Sequence, residues 1–239
     1  MEFNLCINSL QGFDAELVGA YHAVVGVDEV GRGCLAGPVM AAACRLGADF
    51  FSSSRALELS SGFRDSKKLS ASKRMQLLQN VEGLKSDAML DYAIGCSSVD
   101  EIASLNILGA TRLAMQRAIE LLIRQAYFEV DGVKKVTHEH DAIWVGGQRW
   151  LIQVDGPPLR PFPYPQSSLV KGDGRSLSIA IASVVAKTRR DAHMQVLDSK
   201  FPEYGLAQNK GYGTEQHRLA LKQHGPVAEH RALFLRKLL

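Results

Sequence analysis

The sequence predicts an α/β protein in which apolar strands alternate with amphipathic helices. Uncharged, β-branched runs over 23–27 and 150–154 are typical of buried strands, and each is followed by an aspartate and a nearby glycine. Helical periodicity over 107–128 and 176–197 supplies the apolar faces that would cover a sheet. We therefore expect a β-sheet flanked by helices.

Length and composition limit the class of protein. With 239 residues and 46% hydrophobic content, the chain is large enough for one domain with a substantial core. The chain has neither an uncharged stretch of roughly 18 to 20 residues nor a signal-peptide pattern. We therefore expect a cytoplasmic protein. The net charge of +3 permits a local basic face but does not by itself establish nucleic acid as a partner.

The cysteines and one histidine-rich loop do not predict a metal site. The four cysteines lack Cys-x-x-Cys spacing, which argues against a zinc ribbon or a secreted disulfide framework, and we expect them to be reduced and buried. They are Cys6, Cys34, Cys44 and Cys96. The segment 138–141, His-Glu-His-Asp, contains ligand-type residues, but adjacent ligands in a polar loop rarely preorganise a site. We expect a solvated turn there.

The first half of the chain is predicted to contain a lead-in, two strands, a loop excursion and a helix. Residues 1–20 show little periodicity and are expected to form a lead-in with one short element. A second strand over 39–46 follows the first closely, which predicts antiparallel neighbours. Residues 47–63 look like a loop excursion with a possible helical turn, and Ser70 is a plausible N-cap for a helix over 71–81.

The second half alternates in the same way. A third strand is predicted over 89–95, ahead of the long helix that begins at 107. Residues 129–149 break the pattern and are expected to form a surface loop or small hairpin before the strand over 150–155. Five prolines between 157 and 165 exclude regular structure from the loop after that strand.

The tail is predicted to contain two short helices, over 215–223 and 226–236. Three histidines lie in this part of the chain: His217, His224 and His230. We expect them to be helix-surface or core residues rather than nucleophiles.

Four acids are distinguished by their positions: Asp28 and Glu29 end one strand, Asp155 ends another, and Asp173 precedes a helix. A carboxylate at the end of a buried strand is costly unless a cation or partner compensates it. Clustered carboxylates suit Mg²⁺ or Mn²⁺, and two such ions roughly 3.5 to 4 Å apart serve displacement at phosphorus. Asp155 or Asp173 alone is better explained as a turn residue beside glycine. The pair Asp28-Glu29 favours a metal site.

Basic and aromatic residues lie where a phosphodiester would need them. Arg32 lies in a glycine turn, Lys67 precedes a helix, and Lys171 precedes Asp173. Each lysine alone is typical of a solvated surface charge. Tyr212, in a basic loop flanked by glycines, could stack on a sugar or base, although a core-facing tyrosine is equally consistent with the pattern.

Taken together, these stretches resemble ribonuclease HII, the bacterial type 2 ribonuclease H. The resemblance covers about residues 22–235 and depends on several motifs in the order of the family. The matching pieces are Gly26–Gly33, Ala36–Val39, Asp65–Leu69, Asn106–Thr111 continuing to Met115, Val154–Gly156, Lys171–Asp173, Ser178–Lys187 with Arg190-Asp191, Tyr204-Gly205 and Lys210–Tyr212.

The resemblance implies a ribonuclease H-like fold, with a central mixed β-sheet flanked by helices and a helical C-terminal extension. Residues 1–20 would then be an N-terminal lead-in, 21–200 the catalytic domain, and 201–239 a helical substrate-holding segment of the same domain. It also implies a monomeric endoribonuclease that acts on nucleic acid in ribonucleotide excision repair. No membrane is expected as a partner. Such an enzyme hydrolyses the RNA strand of RNA–DNA hybrids and cleaves 5′ to single ribonucleotides in duplex DNA, leaving 5′-phosphate and 3′-hydroxyl ends.

The resemblance also implies roles for individual residues. The catalytic acids, which would hold two Mg²⁺ or Mn²⁺ ions, are Asp28, Glu29, Asp155 and Asp173. Gly31, Arg32 and Gly33 would bind the substrate by reading the 2′-hydroxyl. Lys67 would contact a phosphate, and Tyr212 would stack on the deoxyribose after the ribonucleotide. Asp191 is expected to support its helix rather than to bind metal.

The chain departs from the family in three places. Pro157-Pro158 follows Asp155-Gly156, where the family usually has asparagine. Residues 47–63 and 129–149 look like surface insertions with no catalytic part. About 20 residues before the first strand are too few for the extra N-terminal domain of the related ribonuclease HIII.

Other functions stay open at this point. Gly31-x-Gly33 with Gly37 resembles a phosphate loop of a nucleotide-binding module, although its spacing misses Gly-x-Gly-x-x-Gly by one and the adjacent acids would repel a pyrophosphate. A metal-dependent DNA nuclease or integrase-like enzyme and an inactive hybrid-binding scaffold are the other candidates.

Overall fold

The computed structural model describes residues 7–63, 69–127 and 136–236. Within these ranges the strands are β1 Ala23–Val30, β2 Val39–Gly47, β3 Leu90–Ser97, β4 Val136–His138, β5 Ile143–Val145, β6 Gln148–Asp155 and β7 Ser167–Leu169. The helices are α1 Ser9–Val18, α2 Ala48–Ser52, α3 Ser54–Ser60, α4 Ala71–Ser86, α5 Val99–Tyr127, α6 Leu177–Lys200, α7 Leu206–Asn209, α8 Glu215–His224 and α9 Ala232–Leu235. None of these helices combines the length and apolarity that a bilayer span requires.

The seven described strands form one mixed sheet in the order β3-β2-β1-β6-β5-β4, with β7 beside β6. β1 is antiparallel to β2, as predicted, and parallel to β6. In the parallel pair Val27 lies opposite Val154, so the next residue of each strand is an aspartate at the same edge of the sheet. The predicted sheet flanked by helices is confirmed, and its mixed topology is the one that the resemblance implied.

Two glycines allow the long helices to lie directly on the sheet. Gly26 in β1 faces α6, and a Cβ at this position would lie 2.2 Å from the amide nitrogen of Ile179. Gly95 in β3 faces α5, and a Cβ there would lie 1.9 Å from the carbonyl oxygen of Ala114. Because side chains alternate along a strand, residues of β1 on either side of Gly26, such as Val25 and Val27, pack into the α5 core instead.

The long helix begins before its predicted start. α5 covers Val99–Tyr127 but is interrupted at Asn106, whose φ is 57°. The Oδ1 of Asn106 accepts hydrogen bonds from the backbone N–H groups of Leu108 and Gly109 at 2.9 and 3.2 Å, which is an N-cap. The predicted start at 107 is therefore the start of the second part of this helix.

Several other predictions were wrong in detail. Residues 47–63 contain two helices, α2 and α3, where a loop with one possible helical turn was predicted, because Ser53 caps α3 and Phe50 and Phe63 enter the core. The segment 226–236 contains only the short helix α9. Cys96 is exposed, whereas Cys34 and Cys44 are buried, and Cys6 lies outside the described residues.

Substituting Gly26 by alanine tests the close packing of α6 on the sheet. Gly26→Ala should lower the free energy of unfolding by about 1 to 3 kcal/mol, because its Cβ would overlap the backbone of α6. Gly83→Ala in α4 is the matched control, since a Cβ there meets nothing within 4 Å and should stabilise the helix by up to about 1 kcal/mol. Urea unfolding followed by circular dichroism compares the two variants. Wild-type stability of Gly26→Ala would contradict the packing described.

Candidate active site

A cleft of about 500 Å³ opens at the edge of the sheet where β1 and β6 end. Three of the four predicted acids line it together with the predicted glycine turn and Tyr212. The lining residues are Asp28, Glu29, Val30, Gly31, Arg32, Gly33, Arg74, Asp155, Ser183, Lys187 and Tyr212. The sheet therefore brings into one cavity residues that are up to 184 positions apart in the sequence, from Asp28 to Tyr212.

Asp28 is buried, with 7% of its surface exposed. One of its carboxylate oxygens accepts a hydrogen bond from the backbone N–H of Glu29 at 2.8 Å, and Ser183 on α6 also bonds to the carboxylate. Burial is the main cause that raises the pKa of Asp28 well above its ordinary value, and the charges of Glu29 and Asp155 raise it further. The ionised form of Asp28 is therefore costly in the metal-free protein.

Glu29 has a cationic partner. Its Oε1 lies 3.1 Å from Nη1 of Arg32, whose side chain is 45% exposed. Burial raises the pKa of Glu29, the hydrogen bond and charge of Arg32 oppose that rise, and the charge of Asp155 adds to it. The net direction is upward, so Arg32 compensates only part of the cost of ionising Glu29 in this cleft.

Asp155 and Asp173 are connected through one turn. Oδ1 of Asp155 accepts a hydrogen bond from the backbone N–H of Gly172 at 2.6 Å, which ties the end of β6 to the 3₁₀ turn Gly172–Gly174. Asp173 lies in that turn, is 3% exposed and does not line the cleft. The structure thus places Asp28, Glu29 and Asp155 in one cavity and Asp173 beside it.

The chemistry of the three cleft acids fits a divalent cation. All three offer carboxylate oxygens, the ligands that Mg²⁺ and Mn²⁺ prefer. Their mutual repulsion, which raises the pKa values of Asp28 and Glu29, is the interaction that a cation between them would relieve. In the described part of the chain no group of three or more His, Cys, Asp or Glu is already arranged to hold an ion. This is compatible with Mg²⁺, which keeps several waters and binds through one or two carboxylates plus substrate phosphates.

Arg190 connects the segment that follows the glycine turn of residues 31–33 to the Tyr212 loop, residues 209–214. The buried guanidinium of Arg190 donates to the carbonyl oxygens of Ala36, Pro38 and Lys210 at 3.1, 3.0 and 2.8 Å. A Cβ at Gly31, where φ is +94°, would lie 2.3 Å from Nε of Arg190. Glycine is therefore required at this position both by the left-handed backbone and by the space that Arg190 occupies.

Arg231 fixes the other side of the same turn. Its Nη1 donates to the carbonyl oxygen of Arg32 at 3.0 Å, and its Nε and Nη2 donate to that of Gly37 at 2.9 and 2.7 Å. Burial lowers the pKa of Arg231 to about 10, so the guanidinium remains charged at neutral pH. The turn that presents Arg32 thus rests on two buried cations, Arg190 and Arg231, which bond to carbonyl groups.

The sequence did not identify Ser183, Lys187, Arg74, Arg190 or Arg231 as site residues. Ser183, Lys187 and Asp191 are spaced by four residues, which places them on one face of α6, and Lys187 donates to Asp191 at 2.6 Å. That polar stripe, which begins within the apolar first half of α6, was the available signal. Arg74 and the two buried arginines had no comparable local pattern.

The other residues and segments for which the sequence supports a prediction do not line the cleft or lie outside the described residues. Lys67 lies outside the described residues. In the predicted solvated turn, Glu139 and Asp141 form ion pairs with Arg149 at 3.2 and 2.8 Å. None of the described residues of 47–63 or 136–149 lines the cleft.

A smaller groove of about 250 Å³ continues the cleft on the far side of Glu29, Arg32 and Asp155. Pro157 and Pro158 form part of its wall. Asp155 is the last residue of β6, so the Pro-Pro pair follows the strand without removing the acid from its end.

Comparison with known proteins gives one family. The family model described as Ribonuclease HII matches residues 25–237. The chain is 43% identical over 215 residues to Ribonuclease HII of Syntrophotalea carbinolica, covering 90% of this chain and 86% of that protein. It is also 43% identical over 212 residues to Ribonuclease HII of Synechococcus sp. (strain RCC307), covering 89% and 90%.

Solved structures share the fold. RNase HII of Archaeoglobus fulgidus, in its complex with PCNA, superposes with a TM-score of 0.62 at 20% identity, covering 90% of this chain and 96% of that one. Bst-RNase HIII in complex with Mn²⁺ gives a TM-score of 0.60 at 18% identity, covering 91% and 67%. The ribonuclease H-like fold is therefore confirmed.

Substituting Asp28 by asparagine tests the electrostatic cost of the acid cluster. In metal-free protein at pH 7 to 8, Asp28→Asn should raise Tm by about 2 to 4 °C, which corresponds to about 1 kcal/mol for a chain of this size. A raised pKa means that the folded state disfavours the ionised form, so the gain should shrink as the pH falls towards 4 and wild-type Asp28 becomes protonated.

Asp100→Asn is the matched control for this measurement, because Asp100 is exposed at the start of α5. Its removal should not raise Tm, since an acid in the first turn of a helix is mildly stabilising. Calorimetry in EDTA from pH 4 to 8 makes the comparison. An unchanged or lower Tm of Asp28→Asn at pH 8 would show that ionised Asp28 does not destabilise the metal-free protein.

Proposed function

Because the chain belongs to the ribonuclease HII family, hydrolytic endoribonucleases that act on RNA–DNA hybrids, we propose that Asp28, Glu29, Asp155 and Asp173 form its catalytic centre. The observation that carries this assignment is the parallel register of β1 and β6, which sets Asp28 and Asp155 side by side. The substrate is nucleic acid. The finer substrate assignment is hydrolysis of the RNA strand of hybrids and cleavage 5′ to single ribonucleotides in duplex DNA.

The acids are proposed to hold two divalent cations, Mg²⁺ or Mn²⁺. Divalent-metal dependence is supported by the family and by the Mn²⁺ complex of Bst-RNase HIII. When bound, two such ions stabilise both the attacking and the leaving oxygen of an in-line displacement at phosphorus. Asp28, Glu29 and Asp155 supply the negative charge for this binding, and Asp173 supports it from the turn fixed by Asp155.

Neighbouring residues keep the acids in place. Ser183 bonds to the carboxylate of Asp28 from α6, and Gly172 donates its backbone N–H to Asp155. Each of these bonds restricts a carboxylate rotamer before substrate arrives, which is the preorganisation that phosphoryl transfer requires. Lys187, in the same cleft, is placed to attract a phosphate.

The glycine turn of residues 31–33 and Tyr212 are proposed to recognise the ribonucleotide. A protein distinguishes RNA from DNA at the 2′-hydroxyl, and a turn without side chains at Gly31 and Gly33 lets backbone groups approach it. A Cβ at Gly33 would meet nothing within 4 Å, so this part of the turn is open towards a ligand. Tyr212 is 42% exposed in the same cleft, which leaves its ring accessible for stacking on the following deoxyribose.

The other candidate functions are less well supported. The segment from Gly31 to Gly37 leads into β2 rather than into a helix, so it lacks the helix N-terminus on which a dinucleotide phosphate loop depends. A DNA nuclease or integrase-like enzyme would not need the tight turn beside Tyr212, and a scaffold would not need buried acids with raised pKa values. A monomeric state and a cytoplasmic location stay predictions.

A cleavage assay tests the proposed activity. With Mg²⁺, the protein should cut a duplex that contains one ribonucleotide and an RNA–DNA hybrid, but not an all-DNA duplex. Asp28→Asn should lower kcat/KM at least about 100-fold, or about 2.7 kcal/mol of transition-state stabilisation, while hybrid binding changes little. Asp100→Asn is the control and should retain wild-type cleavage. Wild-type rates for Asp28→Asn, or cleavage of the all-DNA duplex, would overturn the assignment.

Substituting Tyr212 by alanine tests the junction role. Tyr212→Ala should reduce kcat/KM on a single-ribonucleotide duplex about 5- to 150-fold, the range expected for losing about 1 to 3 kcal/mol of stacking, and should affect long hybrids less. Tyr212→Phe keeps the ring and should stay close to wild type. Equal losses on both substrates for Tyr212→Ala would remove the junction role.

A further inference from the structure

Two buried histidines lie directly behind the Tyr212 loop. His217 on α8 is fully buried, and His230, which precedes α9, is 4% exposed. Neither lines the cleft. We propose that this histidine pair positions Tyr212 through a hydrogen-bond chain of fixed direction, and that acid opens the chain and weakens ribonucleotide recognition. The inference rests on the proposed role of Tyr212.

The contacts determine where each proton lies. The backbone N–H of Val227 donates to Nδ1 of His230 at 3.1 Å, so neutral His230 carries its hydrogen on Nε2. That Nε2 lies 3.1 Å from Nε2 of His217, which must then accept. Neutral His217 consequently carries its hydrogen on Nδ1, which lies 2.9 Å from the carbonyl oxygen of Tyr212 and donates to it. The chain runs in one direction from Val227 to Tyr212.

An added proton has no place in this chain. On Nε2 of His217 it would point at the hydrogen already carried by Nε2 of His230. On Nδ1 of His230 it would oppose the N–H of Val227. Either position breaks at least one of the three bonds, and a buried donor left without an acceptor costs about 1 to 3 kcal/mol. The chain therefore exists only while both histidines are neutral.

The surroundings also favour the neutral forms. Burial lowers the pKa of His217, and burial together with the charge of His217 lowers the pKa of His230 to about 4. Tyr204 packs edge-on against both rings, with centroid distances of 4.7 Å to His230 and 6.3 Å to His217, and donates its hydroxyl to the carbonyl of Gly225. Arg231, next to His230, directs its guanidinium to the carbonyls of Arg32 and Gly37.

The pair connects the two sides of the recognition site. His217 bonds to the backbone of Tyr212 itself, and His230 forms a β-bridge with Ala36, just after the glycine turn. The backbone N–H groups of Leu35 and Ala36 both donate to Gly211, the residue before Tyr212. Movement of the histidine pair would thus move Tyr212 relative to Arg32. Recognition of a single-ribonucleotide junction depends on the distance between these two residues more than binding of a long hybrid does, because the long hybrid makes many other contacts.

The linked pH dependence has a defined sign. The pKa values of both histidines are lowered in the folded protein. The stabilisation by the neutral pair is therefore complete above pH 6.5, the pKa of histidine in the unfolded chain. It is lost as the pH falls through the folded-state pKa of His230, about 4. The carboxylates of the active site affect cleavage of every substrate in this pH range. The ratio of kcat/KM for a single-ribonucleotide duplex to kcat/KM for a long hybrid removes that shared contribution.

The experiment measures this ratio from pH 4 to pH 8 for the full chain with Mg²⁺. In wild type the ratio should be constant from pH 8 to pH 5 and should fall between pH 5 and pH 4, where folded His230 begins to be protonated. In His217→Phe, which keeps the ring volume and loses both hydrogen bonds, the ratio at pH 8 should be about tenfold lower than in wild type and independent of pH, a loss equivalent to about 1.4 kcal/mol. His217→Asn can still donate to Tyr212 and should recover most of the ratio.

His224→Gln is the matched control, because His224 lies on the same helix but is exposed. It should show the wild-type ratio and the wild-type pH profile. Tyr212→Ala is measured in parallel to separate the two hypotheses. If it loses no selectivity, the role of Tyr212 itself is wrong. If it does lose selectivity while folded His217→Phe keeps the wild-type ratio, the positioning role is overturned. Should His217→Phe not fold, a wild-type ratio that is constant between pH 4 and 8 would overturn the proposal.

Discussion

The parallel pairing of β1 with β6 is the constraint on which the rest of the site depends. Its register sets Val27 against Val154, so Asp28 and Asp155 leave the sheet side by side. A shift of one residue would turn one of the two acids to the opposite face. The same strand carries Gly26, whose missing side chain lets α6 lie close enough for Ser183 to reach Asp28. One strand thus fixes both the acids and the helix that supports them.

The acids remain only partly compensated, and this shapes the chemistry. Arg32 offsets part of the charge of Glu29, Ser183 bonds to Asp28, and one backbone N–H bonds to Asp155. The pKa values of Asp28 and Glu29 are nevertheless raised. The charge of Arg32 therefore does not cancel the repulsion among the three acids. Relief of that repulsion is the driving force that the proposed function gives to the binding of a divalent cation.

Local signals in the sequence predicted the parts of the site that depend on local structure. The strand that carries Asp28, the strand that ends on Asp155 and the N-cap at Ser70 are each encoded within a few residues, and all three are present, although the first strand continues past Asp28 to Val30. Burial of Asp173, and the helices within 47–63, depend on distant partners. Arg190 and Arg231 could not be recognised, because an arginine that binds backbone carbonyls has the same local pattern as an exposed one.

The choice of carbonyl partners for these two arginines has an electrostatic consequence. A carboxylate would neutralise Arg190 or Arg231, whereas a carbonyl group satisfies the guanidinium hydrogens and leaves the charge. Even with its lowered pKa of about 10, Arg231 is cationic at neutral pH. Two positive charges thus lie beneath the glycine turn while the carboxylates lie beside it. Under the proposed function, the positive charges beneath the turn would attract a phosphodiester and the carboxylates would attract metal ions, so the separation of the two sets of charges would let one cleft bind both.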